Sequence, residues 1–314
     1  MRRKTIAVCV TGYNWEYESR VIDGINSRCV ELDINLLIFA SLIRKPDINS
    51  HKVLPESIVQ GESEIFNLIN YDMLDGVIIL GGSIIDEEVV YRVFERCEKH
   101  NIPMININDP DHRLKLNVDL SDREAMEFVM RHIVEVHGKR RINFIGGFKG
   151  NLQTEERLAA YKKILAEYGI PIEEERIAYG EFWTKAKDCT AEFMKAEQKP
   201  EAIVCANDTM AFFCMDYLKD NGFRIPEDVI VTGFDGIKDC EEYDPTLTTV
   251  RPSYAESGKT AVDILTRLGS GEEMPQITSV ESSLIKNQSC GCCKKSAVKS
   301  SLYSMKYKEL NDFK

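Results

Sequence analysis

The sequence predicts an α/β protein made of two doubly wound, parallel-sheet halves, and three observations carry that expectation. Short apolar runs that stop on polar residues recur at 5–10, 34–40, 74–80, 102–107, 142–145, 202–206 and 229–234. Continuous runs of this kind mark strands buried on both faces of a parallel sheet. Between them lie segments with apolar residues at helical spacing, such as Met210, Ala211, Phe213, Cys214, Tyr217 and Leu218. Strands alternating with helices in this way give parallel strands joined by helical crossovers. Finally, 314 residues with 43% hydrophobic content exceed what one core usually holds and divide into two.

The first half opens on strand 5–10, a polar loop 11–14, and a helix in which Trp15, Val21, Ile22, Ile25 and Val30 recur. Strand 34–40 follows. Segment 41–60 lacks periodicity and carries Pro46, Asn49 and Pro55, so it reads as an irregular loop. Strand 74–80 runs into Gly81, Gly82 and Ser83, which match neither a dinucleotide fingerprint nor a P-loop; a tight turn is favoured over a mononucleotide site. Strand 102–107 ends in Asn108 and Asp109, and the polar stretch 110–119 reads as a crossing into the second half.

There, Ser121 and Glu124 have capping-box spacing for a helix reaching about 137, closed by Gly138. Strand 142–145 leads to a helix bearing Arg157, and an edge-like strand 177–182 leads to Trp183 and to Thr184, a candidate cap. The segment 201–236 reads as strand, helix, turn, strand, with Asn207 and Asp208 after the first strand and Asp235 and Gly236 after the second. Asn221 and Gly222 close its helix. Beyond it come a loop, a short apolar segment 247–250, a second capping-box pattern at Ser253 and Glu256, and a last strand over 277–285. Parallel strands deliver their terminal groups to one carboxyl edge, where open α/β sheets bind ligands. Asp208 reads equally as a helix cap or a ligand contact, whereas Asp235, with no helix to cap, reads as functional.

The motifs ANDTMA, NGFRIPEDVIVTGFDG and DPTLTTVRP, with HIVEVHGKRRINFIGG and ERLAAYKKILAEYGI before them, resemble the ligand-binding core of the lac-repressor/galactose-repressor (LacI/GalR) family of bacterial transcription regulators. The resemblance spans about residues 4–285. It implies the type I periplasmic-binding-protein fold, with subdomains 1–109 plus 251–271 and 110–250 plus 272–289 joined by a three-strand hinge. It also implies ligand contacts at Asn207 and Asp235, and at Arg157, which by itself reads as a surface arginine. Phe182 or Trp183 stands where the family places an aromatic wall; core packing is the alternative for either. Tyr13, Trp15 and Asn108 complete the expected set from the first half, closing with the others on a polar ligand, foremost a sugar, with a purine as another candidate. The family pairs its cores, so a homodimer is expected, with apolar helix faces near 65–69 or 89–94 as interface.

Two ends depart from the family pattern. A full regulator begins with a helix-turn-helix, whereas here the first strand starts at Thr5, so the DNA-reading module is expected to be absent. After 289 the chain runs through a cysteine-rich stretch and a helical connector with Leu302, Met305, Tyr307 and Leu310. This resembles sensor cores that precede an output domain such as a GGDEF-type diguanylate cyclase.

Composition narrows the function further. Forty basic against 51 acidic residues give a net charge of -11, which opposes binding of this segment to a phosphate backbone. No export signal or membrane-spanning run is evident, so a cytoplasmic protein is expected and a secreted solute carrier is the alternative. Cys9, Cys29, Cys97, Cys205 and Cys214 lie in apolar patterns and read as small buried hydrophobes. Cys290, Cys292 and Cys293 lack an evident fourth ligand, so neither metal nor cofactor is expected. The histidines, His51, His100, His112, His132 and His137, show no ligand spacing; on an α-helix His132 and His137 face different ways. An enzyme, for example a glycoside hydrolase using Asp208 and Asp235 as a carboxylate pair, is the less favoured reading.

Overall fold

The computed structural model describes residues 2–42, 56–84, 86–108 and 114–292. Most of the loop expected over 41–60, along with Asp109, His51, His112, Cys293 and the connector, lies outside them. The chain forms two compact units, 1–120 with 253–280 and 121–252 with 281–314, and passes from one to the other three times.

The first unit is built on β1 (Thr5–Thr11), β2 (Asn35–Ser41), β3 (Gly76–Ile79), β4 (Met104–Ile107), β5 (Asn117–Asp119) and β11 (Ile277–Ser279), ordered β11-β5-β4-β3-β1-β2 and parallel throughout. Every residue of β1 is buried, which explains its unbroken apolar run. Its side chains alternate between faces. Ile6, Val8 and Val10 pack with α1 (Glu16–Glu31) and α9 (Tyr254–Leu268), while Ala7 and Cys9 pack with Phe66, Val89 and Val93 on the opposite side. Gly24 and Gly258 let α1 and α9 pack backbone to backbone; a Cβ on either would collide with the other helix. Along α1 the expected stripe holds at Val21, Ile22 and Ile25 but fails at Val30, which is exposed. A helix, α2 (Glu56–Ser63), begins inside the stretch read as irregular, and α3 (Glu87–Lys99) is capped by Asp86.

The second unit orders its strands β12-β10-β9-β8-β6-β7: β6 (Ile142–Gly146), β7 (Ile177–Tyr179), β8 (Ala202–Cys205), β9 (Ile230–Phe234), β10 (Thr248–Arg251) and β12 (Ser283–Ile285). All pairs are parallel except β10 with β12. Its helices are α4 (Asp122–Arg131), α5 (Leu152–Glu167), α6 (Lys185–Lys195), α7 (Asp208–Asp220) and the single turn α8 (Asp239–Glu242).

Two boundaries move from their expected places. The stretch 110–119 ends in β5, which pairs with β4, so the first unit extends to residue 120. The single strand expected over 277–285 is two strands: β11 joins β5 in the first sheet and β12 joins β10 in the second. Three expected caps are not made, because Ser121 (φ 53), Thr184 (φ -55) and Ser253 (ψ 61) depart from the extended backbone that aims a capping side chain at the helix. Gly81–Ser83 forms a single 3₁₀ turn.

The helix that begins as α4 continues as a π turn over His132–Val136, and turns closed by i→i+5 hydrogen bonds stack residues five apart. The imidazoles of His132 and His137 therefore meet, their Nε2 atoms 3.1 Å apart, instead of facing different ways.

Candidate functional site

The carboxyl edge of the second sheet is where buried charge collects. Arg157 sits in the second turn of α5, which starts just after β6 and carries the side chain inward over the strand ends. It is 3% exposed and so is not the surface arginine its acidic helix suggested. Its guanidinium donates to the Ala206 carbonyl at 2.5 Å and to Asp122 at 2.8 Å, and lies 3.8 Å from the carboxylate of Asp235. The same group covers the Phe234 ring at 3.7 Å, a cation–π contact that strengthens when desolvated.

Asp235 follows β9 with φ 115, a conformation that costs a non-glycine residue on the order of 1–3 kcal/mol. Its amide donates to the Val250 carbonyl at 2.9 Å, which anchors the strained residue, and its side chain remains 30% exposed. Glu181 and Phe182, just after β7, also have positive φ. Such outliers gather at binding and catalytic sites because the surrounding structure must hold them.

Of the adjacent pair Asn207 and Asp208, it is Asn207 that caps the helix. Asn207 has an extended backbone, φ -148, and its side chain accepts from the Met210 amide at 2.9 Å, so it is the cap of α7. Its Nδ2 reaches the Phe182 carbonyl at 3.4 Å. Asp208 is wholly buried: its carboxyl accepts from Thr249 Oγ1 at 2.5 Å and from the Ile237 amide at 2.9 Å, and packs against Gly233, where any Cβ would strike it. Burial first, and nearby Asp235 second, push its pKa up to about 8. Burial first, and the neighbouring Asp208 carboxyl second, also raise the Cys240 thiol.

Phe182 packs edge-on against Phe148, and Trp183 packs edge-on against Phe213 while staying 49% exposed. In the first unit, Tyr13 is 51% exposed in the loop after β1, Trp15 occupies the N-cap position of α1 over Gly12, and Asn108 ends β4 with φ 55. The structure thus joins Arg157 to Asp235 and Asn207 to Phe182. Asp122 and Thr249 were not singled out in the sequence; Asp122 was legible only as a first-turn acid of a helix.

The residues able to hold a metal lie elsewhere in the same unit. His132, His137, Cys290 and Cys292 place one ligand atom each within 4.8 Å of the others. This overturns the expectation that the cysteine run lacks further ligands; the two histidines come from the π turn, distant in sequence. Among the described residues no helix is long and apolar enough to cross a membrane.

Residues 131–290, half of the chain, match the family model described as periplasmic binding protein-like domain. The chain belongs to that family. It is 26% identical over 264 residues to the HTH-type transcriptional repressor PurR of Vibrio parahaemolyticus serotype O3:K6 (strain RIMD 2210633), covering 83% of this chain and 73% of that protein. It is 30% identical over 194 residues to the probable HTH-type transcriptional repressor ExuR of Bacillus subtilis (strain 168), covering 60% of this chain and 57% of the relative. The fold is similar to that of the lac repressor dimer bound to operator and the anti-inducer ONPF, with TM-score 0.74 and 21% identity, covering 92% and 94% of the two chains. A transcriptional regulator CelR–cellobiose complex gives TM-score 0.71 at 20% identity, covering 92% and 85%. The curated relatives are transcriptional repressors, and the periplasmic binding protein-like fold of two α/β units is the one the motifs implied.

Proposed function

We propose that this chain is the effector-sensing domain of a LacI-type transcription regulator that takes a polar metabolite on the carboxyl edge of the second sheet. The observation that carries the reading is Asp235. Its carboxylate is partly exposed, held on a strained backbone, and kept beside a guanidinium that is itself fixed by Asp122 and Ala206. Charged groups cost free energy to bury, and a desolvated, perturbed cluster at a sheet edge is the expected signature of a recognition site.

In this reading the ligand's hydroxyls donate to Asp235, and Arg157, 3.8 Å away, orients that carboxylate. Charge-assisted hydrogen bonds of this kind contribute about 1.5–3 kcal/mol each. Trp183 and Phe182 offer flat apolar faces suited to the C–H face of a sugar ring or the plane of a purine. Binding signals onward only if it favours one conformation over another. Catalysis is not assigned to the edge, because Asp208 is sealed from solvent and bound to Thr249 and Ile237.

As a regulator the protein is expected to work in the cytoplasm and to form a homodimer. The stretches 65–69 and 89–94 commit Phe66, Ile69, Val89 and Val93 to the first unit's core, leaving Leu68 and Tyr91 as the exposed apolar side chains there. Sedimentation at micromolar concentration reads the dimer directly.

The test of the function is a thermal-shift screen against monosaccharides, disaccharides including cellobiose, and purine bases. Calorimetry of the strongest binder with the parent and Asp235→Ala follows. A tenfold to hundredfold weaker variant, a loss of roughly 1.4–2.8 kcal/mol, supports the site; equal affinities overturn it.

A further inference from the structure

The four-residue cluster at the other end of α4 has the composition and the geometry of a metal site. His132 Nε2 lies 3.1 Å from His137 Nε2, 3.3 Å from Cys292 Sγ and 3.5 Å from Cys290 Sγ; His137 Nε2 lies 3.5 Å from Cys292 Sγ. Zinc binds thiolate at about 2.3 Å and imidazole at about 2.0–2.1 Å, almost always tetrahedrally in structural sites. Those bond lengths set ligand-to-ligand edges of roughly 3.3 Å for two nitrogens and 3.6 Å for nitrogen and sulfur. Four of the six ligand-to-ligand distances are therefore already close to the edges of a zinc tetrahedron, and the other two are within 4.8 Å.

Each pair reaches its corners through a local backbone device. The π turn superposes the two histidines, whereas an α turn would set residues five apart roughly 140° apart around the helix. Gly291, with φ 89, reverses the chain between the two cysteines, so that a spacing with a single intervening residue presents both sulfurs to one point. The cysteine side is rigidly mounted. Asn287 Nδ2 donates to the Leu247 carbonyl, Gln288 Oε1 accepts from the Thr246 amide, and buried Ser289 accepts from the Thr248 amide and donates to the Val231 carbonyl. A site mounted this way needs little ordering to bind its ion, which is how preorganised ligands gain affinity.

We propose that His132, His137, Cys290 and Cys292 form a structural zinc site that staples the segment following β12 to the C-terminal turn of the first helix of its unit. Two thiolates and two imidazoles in a tetrahedron select zinc among the common divalent ions, since magnesium and calcium require oxygen ligands. The protein fills all four positions, so the ion holds structure and leaves no open position for substrate. The assignment is independent of the ligand proposed for the carboxyl edge.

The test is metal content under reducing conditions, with thiols confirmed reduced by titration. Protein prepared with added zinc and dialysed against metal-free buffer should keep one equivalent per chain. The Cys290→Ser/Cys292→Ser double variant and His137→Asn should keep under roughly a tenth of that, with far-ultraviolet circular dichroism showing both folded. His137 and Cys292 lie near the surface, so His137→Asn tests the site even if the double variant fails to fold. Cys293→Ser should keep the full equivalent. Cobalt added to chelator-stripped parent should give the visible bands of a tetrahedral thiolate site, absent from the variants. A reduced parent that binds no zinc, or zinc content equal in parent and His137→Asn, overturns the proposal, as does loss of zinc in Cys293→Ser.

Discussion

At the carboxyl edge of the first sheet a network of neutral hydroxyl and amide side chains joins the loops, with the Glu18 carboxylate of α1 buried in the same unit, whereas at the edge of the second an arginine and several carboxyl groups meet. In the first, the Thr11 and Ser41 hydroxyls meet at 2.7 Å, Ser83 Oγ accepts from the Thr11 amide at 3.1 Å, and Asn106 accepts from the Gly81 amide at 3.1 Å. In the second, Arg157, Asp122 and Asp235 crowd together beside Asp208, whose buried carboxyl is held well above the usual carboxylate range. The same winding therefore supports two kinds of edge. A neutral network is cheap to bury and stabilises its loops; a charged one costs desolvation that hydrogen bonds offset only in part, which is tolerable where the charge serves recognition.

The sharpest way to break this contrast is Arg157→Ala. It leaves Asp122 and Asp235 without their cation and should lower unfolding stability by about 3–5 kcal/mol in denaturant titrations. A loss below about 1 kcal/mol would mean that the second edge is as neutral in practice as the first.

The pH dependence of stability sharpens the contrast next. The folded pKa of Asp208, about 8, exceeds the unfolded value near 4, so between these pH values the folded state holds a proton the unfolded state lacks. Stability contributed by this group is present below about pH 4 and is lost as pH rises towards 8. Melting temperatures from pH 5 to pH 8 should fall more in the parent than in Asp208→Asn, whose neutral amide carries no such proton; parallel curves would remove Asp208 from the account.

Smaller effects follow at neutral groups. Asn207→Ala deletes the α7 cap and should cost about 1 kcal/mol. In the first edge, Thr11→Val removes one hydroxyl pair, costs about 0.5–1.5 kcal/mol, and should not alter the pH profile. A pH-dependent loss in Thr11→Val would contradict the neutrality assigned to that edge.

Much of this was legible in the sequence, and the failures have physical causes. Strands announce themselves because a parallel strand is apolar on both faces: β1 and β9 lie within one residue of the runs that predicted them. The π turn was hidden because Ile133 and Val134 continue an apolar pattern whichever way the helix winds. Asn207 and Asp208 are adjacent polar residues, and only the backbone angle decides which caps and which is buried. Asp122 meets Arg157 across 35 residues of chain, a tertiary contact with no local trace. The split of the last strand depends on two partners in different sheets, which periodicity along one segment does not encode.

The central claim, that the charged edge recognises the ligand, is tested most directly with Asp235→Asn. The substitution keeps the shape of the side chain and removes its charge. Titrating the strongest binder from the metabolite screen into parent and variant by calorimetry should show affinity lowered tenfold or more, with unfolding stability within about 1 kcal/mol of the parent. Parent-like affinity in Asp235→Asn would contradict the account and move the ligand away from this edge.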